Sequence, residues 1–298
     1  MAKKRVAALG FFDGVHIGHA ALISRVVDVS CTTGYTPSVI TFNTLPQNII
    51  SSENTPLINS SADKTGLIKR IFGIDDIICL PFDSAMAELS WDEFIDHLVI
   101  AHNVSHFVVG SNFKFGKGAL GNSMFLSDKC KRSGLGCDII NAVKYSNIIC
   151  SSTYIRELLQ RGDIEQANAF LGHKHVLTGI VRGGQRLGRT LDAPTINMLF
   201  ERGVLVPAFG VYATKVFIGE NLFLSGVTNI GVRPTVAKTR RITAETFIFN
   251  FEETLYDSEV RLEFCKFIRP EQKFESVDEL KEQIQKDCDV ALEYFDTI

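Results

Sequence analysis

The feature that most constrains this chain is a change of texture at Gly172. Before it, short apolar runs alternate with amphipathic stretches. Residues 6–9, 38–42, 76–80 and 107–109 read as buried strands, being short, apolar and bounded by polar or turn residues. Residues 20–29, 62–72 and 91–102 read as the helices between them. Residues 151–171 read as one further helix, with Ile155, Leu158 and Leu159 at helical spacing and Gly172 as its stop. Strand, helix, strand at this pitch predicts a parallel sheet with helices on its faces. After Gly172 the helical patterns vanish. Residues 176–181, 211–218, 222–227, 244–251 and 259–267 read as strands separated by Gly, Pro and charged clusters, which predicts an antiparallel β-barrel. The last segment predicts a helix. Ser276 and Glu279 have the spacing of a capping box, and Val277, Leu280, Ile284, Cys288, Leu292 and Phe295 form an apolar stripe that would cover the barrel. The expectation is an α/β domain over residues 1–172 and a β domain with a terminal helix over residues 173–298, a division that suits a chain of 298 residues.

Composition narrows the class. Lys and Arg number 31 against 34 Asp and Glu, a net charge of −3, so no overall basic field marks nucleic acid as the main partner. The seven cysteines (Cys31, Cys79, Cys130, Cys137, Cys150, Cys265, Cys288) are odd in number and include no C-x-x-C pair. That argues against a disulfide scaffold or a thiolate zinc site and for a reducing, cytoplasmic setting. The basic start Lys3-Lys4-Arg5 is followed by an apolar run too short and too broken by Gly10, Asp13, Gly14 and His16 for a signal peptide. No run approaches the roughly 18 apolar residues of a membrane helix, so no membrane partner is expected. A weak homo-oligomer is left open.

Two stretches carry phosphate chemistry. The first runs from Leu9 through Gly10, Phe11, Asp13 and Gly14 to His16-Ile17-Gly18-His19, leaving the first strand and entering a helix. Imidazoles three residues apart at a helix start lie on one side, beside N–H groups without intrahelical partners. Such an end attracts phosphate, and Gly18 permits close approach. The two histidines would also serve as exposed turn residues, or as one cap plus one surface residue, so the motif gains weight from its place after the first strand. The second stretch is Ser151-Ser152-Thr153-Tyr154-Ile155-Arg156. Hydroxyls at a helix start with Arg156 one turn inside make a second anion pocket, although Ser152 or Thr153 alone would read as an N-cap.

Together these stretches resemble the H-x-G-H and S-S-T-x-I-R signatures of the nucleotidylyltransferase superfamily, which includes adenylyltransferases and class I aminoacyl-tRNA synthetases. The segment Val108-Val109-Gly110-Ser111-Asn112-Phe113-Lys114-Phe115-Gly116-Lys117-Gly118 resembles V-V-G-x-x-F-x-F-G-x-G of the bacterial bifunctional riboflavin kinase/FAD synthetases. The resemblance implies a Rossmann-like nucleotidylyltransferase domain that joins AMP from ATP to FMN, giving FAD and pyrophosphate. It assigns His16 and His19 to catalysis, and Gly10, Phe11, Gly18, Asn112, Ser152, Thr153 and Arg156 to ATP and phosphate binding.

The later half extends the likeness. Gly188-Arg189-Thr190-Leu191-Asp192-Ala193-Pro194-Thr195-Ile196-Asn197 is similar to the riboflavin kinase stretch G-R-x-L-G-x-P-T-A-N. On extended chain Thr195 and Asn197 share a face and can share a metal ion, and Mg²⁺ accepts such neutral oxygens beside phosphate and water. By itself Pro-Thr-x-Asn would read as a turn. The resemblance assigns Thr195 and Asn197 to Mg²⁺. Gly179, Gly183, Gly184 and Gly188 surround Arg182, Arg186 and Arg189, either as a flap that closes over a triphosphate or as a solvated hairpin loop. The kinase ATP and flavin site implied here includes Gly179, Gly184, Arg186, Gly188, Arg189 and Pro194.

A period of two puts Glu245, Phe247, Phe249 and Phe251 on one face, which predicts a carboxylate where a barrel interior meets its mouth. Partial desolvation there makes a better base, while a strand-end glutamate at solvent fits the pattern equally. By resemblance, Glu245 takes the proton of the riboflavin 5′-hydroxyl. The sequence departs from the family at Asn43-Thr44-Leu45, at Asp192-Ala193 and at Phe247, where histidine is frequent. Alternatives stay open at this point: a kinase whose N-terminal domain is a degenerate nucleotide-binding body, or a non-catalytic flavin-responsive regulator. A class I synthetase fits less well, since no K-M-S-K-S-like loop or basic excess accompanies the histidines.

Overall fold

The computed structural model describes residues 3–45, 48, 54–182, 195–219, 222–234 and 240–297. By packing, the chain divides into two units, Met1–Leu57 with Lys64–Ser152, and Ile58–Asp63 with Thr153–Ile298.

The first unit is built on five parallel strands: β1 (Arg5–Leu9), β2 (Thr36–Phe42), β3 (Asp76–Leu80), β4 (Val104–Gly110) and β5 (Gly136–Ile140). Their order in the sheet is β3-β2-β1-β4-β5. The crossovers are helices α1 (Ile17–Thr33), α2 (Ser61–Phe72), α3 (Trp91–His102) and α4 (Ser123–Ser133). Val6, Ala7 and Ala8 are fully buried, because helices cover both faces of a parallel sheet and its central strand has no solvent side. Leu9, Ile40, Leu98, Phe107 and Val109 belong to one core cluster with Ala7. The chain builds outward from β1 to β3, then returns to β4 on the other side. The strand order therefore reverses between β1 and β4, and such a switch point opens a crevice at the carboxyl ends of the strands. The residues after β1 enter this crevice.

After Ser152 the chain continues in the second unit, through α5 (Ser152–Arg161) and α6 (Ile164–Leu171). The single helix expected over residues 151–171 is thus two. Gly162 takes φ +81 and Asp163 caps α6 by accepting from the Gln166 N–H, so the backbone turns while the apolar period runs on. Among the described residues six antiparallel strands follow: β6 (His175–Ile180), β7 (Thr195–Leu199), β8 (Gly210–Ile218), β9 (Leu222–Pro234), β10 (Arg240–Ile248) and β11 (Glu259–Pro270). Their order is β6-β11-β8-β9-β10-β7. The edges meet where the Arg182 N–H donates to the Asn197 carbonyl at 2.8 Å, curling the sheet into a barrel. β9 runs further than residues 222–227. β10 starts earlier than expected and ends before Phe251, where Asn250 turns at φ +54.

One face of this sheet is the barrel interior. Tyr212, Thr214, Val216, Thr228, Ile230, Ala244, Thr246, Leu262 and Phe264 are fully buried on it. Three threonines span three strands there, Thr214 to Thr228 and Thr228 to Thr246, each at 2.8 Å, so every buried hydroxyl has a partner. The other face, with Val211, Ala213, Val227, Phe247 and Phe249, lies under the terminal helix α7 (Val277–Asp296).

The covering face of α7 differs from the expected stripe. Cys288 and Ala291 are buried and Ile284 and Phe295 pack beside them, but Val277 and Leu292 are exposed. Asp287 is buried as well, held by the Arg269 guanidinium through three contacts of 2.8 to 3.2 Å, so the covered side of the helix includes a charged residue beside the apolar stripe. The capping box is half made. Ser276 accepts from the Glu279 N–H at 3.1 Å, but the Glu279 carboxylate accepts from the Glu275 N–H.

Candidate functional site

In the first unit, β1 ends at Leu9 and the Gly10 N–H still reaches the Ile40 carbonyl on β2 at 3.2 Å. A Cβ on Gly10 would stand 3.1 Å from the Phe12 ring, which explains glycine there. The next turn is strained: Phe12 takes φ +56, Gly14 +81 and Val15 +43. Positive φ costs a β-branched residue of order 1–3 kcal/mol and is retained where the surroundings enforce it. This turn delivers His16 to the N-cap of α1, where its Nδ1 accepts from the His19 N–H at 3.3 Å. The two imidazoles stack with centroids 3.6 Å apart, and the Phe12 ring packs edge-on against His19 at 5.2 Å. A Cβ on Gly18 would lie 3.0 Å from His16 Cε1, so the stacked pair needs glycine at that position.

The expected free donors of this helix start are largely engaged. The Cys150 thiol accepts from the Ile17 and Gly18 N–H groups, and the His19 N–H is taken by His16. The anion-facing chemistry therefore rests on the imidazoles. Burial holds His19 well below the usual imidazole range, reinforced by the charges of His16 and Lys64, so it is a neutral ring at pH 7. Its Nδ1 is buried and has no hydrogen-bond partner among the described residues.

The second motif reaches the first. Ser152 Oγ donates to the Asp13 carbonyl at 3.0 Å, so Ser152 meets the turn before H-x-G-H. Thr153 and Arg156 follow on α5 by one residue and by one turn, within the second packing unit. Asn112 is exposed two residues beyond β4, the sheet neighbour of β1. Phe11 offers its carbonyl to Lys64, a residue that the sequence did not single out. Lys64 Nζ donates to Phe11 O at 3.1 Å, Thr41 Oγ1 at 2.9 Å and Phe42 O at 3.2 Å. Its partners are mostly backbone atoms, which leave no residue pattern to read.

In the second unit, register brings the kinase candidates together. Asn197 pairs with Glu245, and Glu245 pairs with Asn229 on its other side, so the three occupy one row across β7, β10 and β9. Thr195, one pleat along on the same face, donates its hydroxyl to Glu245 Oε1 at 2.7 Å. Asn197 is buried, while Thr195 and Glu245 are half-buried. Glu245 does share a face with Phe247 and Phe249, but that face lies under α7. The barrel interior carries Thr246 instead, because the adjacent residue of a strand always points to the opposite side. Asn229 was not singled out by the sequence reading, and its register opposite Glu245 reveals its place. Gly179 lies in β6, where a Cβ would meet Met198 at an ordinary 3.4 Å. Gly184, Arg186, Gly188, Arg189 and Pro194 lie outside the described residues.

The oxygens gathered here fit a hard cation. A threonine hydroxyl, an asparagine amide and a carboxylate on one strand face are the donors that Mg²⁺ accepts beside phosphate oxygens.

A switch-point crevice with stacked histidines and a barrel with a Thr–Asn–Glu oxygen cluster describe a transferase with two centres. Comparison with known proteins specifies it. A family model described as FAD synthetase matches residues 1–154, and one described as riboflavin kinase matches residues 171–295. The chain is 36% identical to the bifunctional riboflavin kinase/FMN adenylyltransferase of Bacillus subtilis (strain 168), over 99% of this chain and 94% of that one. It is 33% identical to the protein of the same name from Escherichia coli (strain K12), over 97% and 92%. A solved structure named as a macrolide-efflux protein from Streptococcus pneumoniae superposes with a TM-score of 0.85 at 27% identity, covering 98% of this chain and 94% of that one. No helix among the described residues is long and apolar enough to cross a membrane. The chain belongs to the bifunctional riboflavin kinase/FMN adenylyltransferase family.

Proposed function

We propose that residues 173–298 transfer the γ-phosphoryl group of ATP to the riboflavin 5′-hydroxyl, giving FMN. Residues 1–172 then join AMP from a second ATP to the FMN phosphate, giving FAD and pyrophosphate. In the kinase, Glu245 takes the hydroxyl proton as the oxygen attacks, and Thr195 orients the carboxylate through its 2.7 Å hydrogen bond. Thr195 and Asn197 hold Mg²⁺, which neutralises phosphate charge when bound. The glycine and arginine segment with Gly179, Gly184, Arg186, Gly188, Arg189 and Pro194 positions the ATP phosphates and the flavin.

In the adenylyltransferase, the FMN phosphate attacks the α-phosphorus of ATP and pyrophosphate leaves, with no covalent enzyme intermediate. His16 and His19 donate toward the charge that develops. Gly10, Phe11, Gly18 and Asn112 shape the nucleotide site, while Ser152, Thr153 and Arg156 hold the departing phosphates. The observation that supports the adenylyltransferase centre is the Ser152–Asp13 hydrogen bond, which joins the separated halves of the N-terminal motif, and the Thr195–Glu245 hydrogen bond supports the kinase centre. The enzyme works in the cytoplasm, without a membrane or nucleic acid as its main partner.

Two variants of the full chain test this reading. Glu245→Gln should abolish FMN formation from riboflavin while FMN is still converted to FAD, and His19→Ala should do the reverse. FMN formation that survives Glu245→Gln would refute the assigned base.

A further inference from the structure

The geometry points to Lys64 as a positioning residue for adenylyl transfer: its ammonium locks the Phe11 carbonyl to the end of β2 and thereby seats the Phe12 ring that backs His19. This inference rests on the adenylyltransferase reading. Lys64 is buried at 4% exposure, an unusual place for an ammonium. Its three hydrogens meet three oxygens, those of Phe11, Thr41 and Phe42. Thr41 Oγ1 in turn donates to the same Phe11 carbonyl at 2.9 Å, closing a triangle of hydrogen bonds. The ammonium also lies 4.3 Å from the centre of the Phe11 ring. With every donor engaged, Lys64 has none left for a phosphate. It acts through the turn it holds.

That turn is the strained one. Phe11 precedes Phe12 at φ +56, and Phe12, fully buried, packs edge-on against His19. A backbone held in a sparsely populated conformation needs an anchor, and the Lys64 triangle supplies one at the adjacent carbonyl. The charge acts a second way. The titratable and charged groups that act on His19 are His16 from its own turn and Lys64 from α2, while Lys64 itself faces Asp13 and Cys79. Desolvation lowers the Lys64 ammonium below its ordinary range, yet its hydrogen bonds to three oxygens are those of the charged form. A cation held beside His19 opposes protonation of the imidazole.

Two variants of the full-length enzyme separate these effects, with FMN formation from riboflavin as the internal control. Lys64→Met should lower FAD formation from FMN roughly ten- to hundredfold, the scale of a small misplacement of reacting groups. It should also move the acid limb of the pH–rate profile upward, because His19 then protonates more readily. Thr41→Val keeps the ammonium and removes one side of the triangle, so it should lower the rate without moving the limb. FMN formation should stay within about twofold in both. Wild-type rates in both variants would overturn the inference, as would a Lys64→Met profile scaled down at every pH with its limb in place. A wild-type enzyme that makes no FAD would instead overturn the adenylyltransferase reading itself.

Discussion

Ser152 donates its hydroxyl hydrogen to the carbonyl of Asp13, 139 residues earlier in the chain. This contact ties the loop after the last strand of the parallel sheet to the turn after the first. The acceptor is the residue that precedes Gly14 and Val15, both at positive φ. Replacing Ser152 by alanine removes about 1 kcal/mol of hydrogen bonding. The larger effect is on geometry: Ser152→Ala should slow FAD formation roughly tenfold or more while FMN formation stays at the wild-type rate. Parallel assays of the two steps check this.

The Thr195–Glu245 hydrogen bond has the corresponding role in the barrel. Thr195→Val keeps the shape of the side chain but removes an oxygen from the proposed Mg²⁺ site and a donor from the base. The half-saturating Mg²⁺ concentration for FMN formation should rise roughly tenfold or more, together with a fall in kcat. An unchanged Mg²⁺ titration would remove Thr195 from the site.

Acid stability is set in part by His175 on β6. It is buried at 1% exposure, and burial lowers its pKa from 6.5 to about 3, with a smaller contribution from His173. Between about pH 6.5 and 3 the unfolded chain binds a proton at this imidazole that the folded chain refuses. Stability from this site is therefore complete above pH 6.5 and falls on acidification by up to about 1.4 kcal/mol per pH unit. His175→Phe should flatten the decline of Tm between pH 6.5 and 4 relative to wild type, as read by thermal melts across that range.

The Arg269–Asp287 pair fixes α7 on the barrel. The Asp287 side chain is 4% exposed, so removing it leaves a guanidinium that is 17% exposed without its carboxylate. Asp287→Ala should cost about 3 kcal/mol, measured by denaturant unfolding. Because α7 covers the face that carries Glu245, FMN formation should fall with it and FAD formation from FMN should not.

Much of this arrangement was legible in the sequence because burial left a periodic mark. Val6 to Leu9 form an unbroken apolar run since β1 is covered on both faces, and the alternation from Glu245 to Phe249 states that these residues share a side. Alternation does not say which side. Phe247 and Phe249 suit a barrel interior and a helix-covered exterior equally well, and the position of α7 decides between them. The break at Gly162 was hidden for a similar reason. Leu158 and Leu159 before it and Ile164 and Ala167 after it keep helical spacing, so the apolar pattern runs through a turn made by the backbone alone. Lys64 left no mark, because two of its three partners are carbonyls that any residue would supply.

The two-centre account is tested most directly by following flavin masses in one incubation of the purified protein with riboflavin, ATP and Mg²⁺. FMN should appear first and then decline as FAD accumulates with pyrophosphate in equal amount. Accumulation of FMN with no FAD at any time would contradict it.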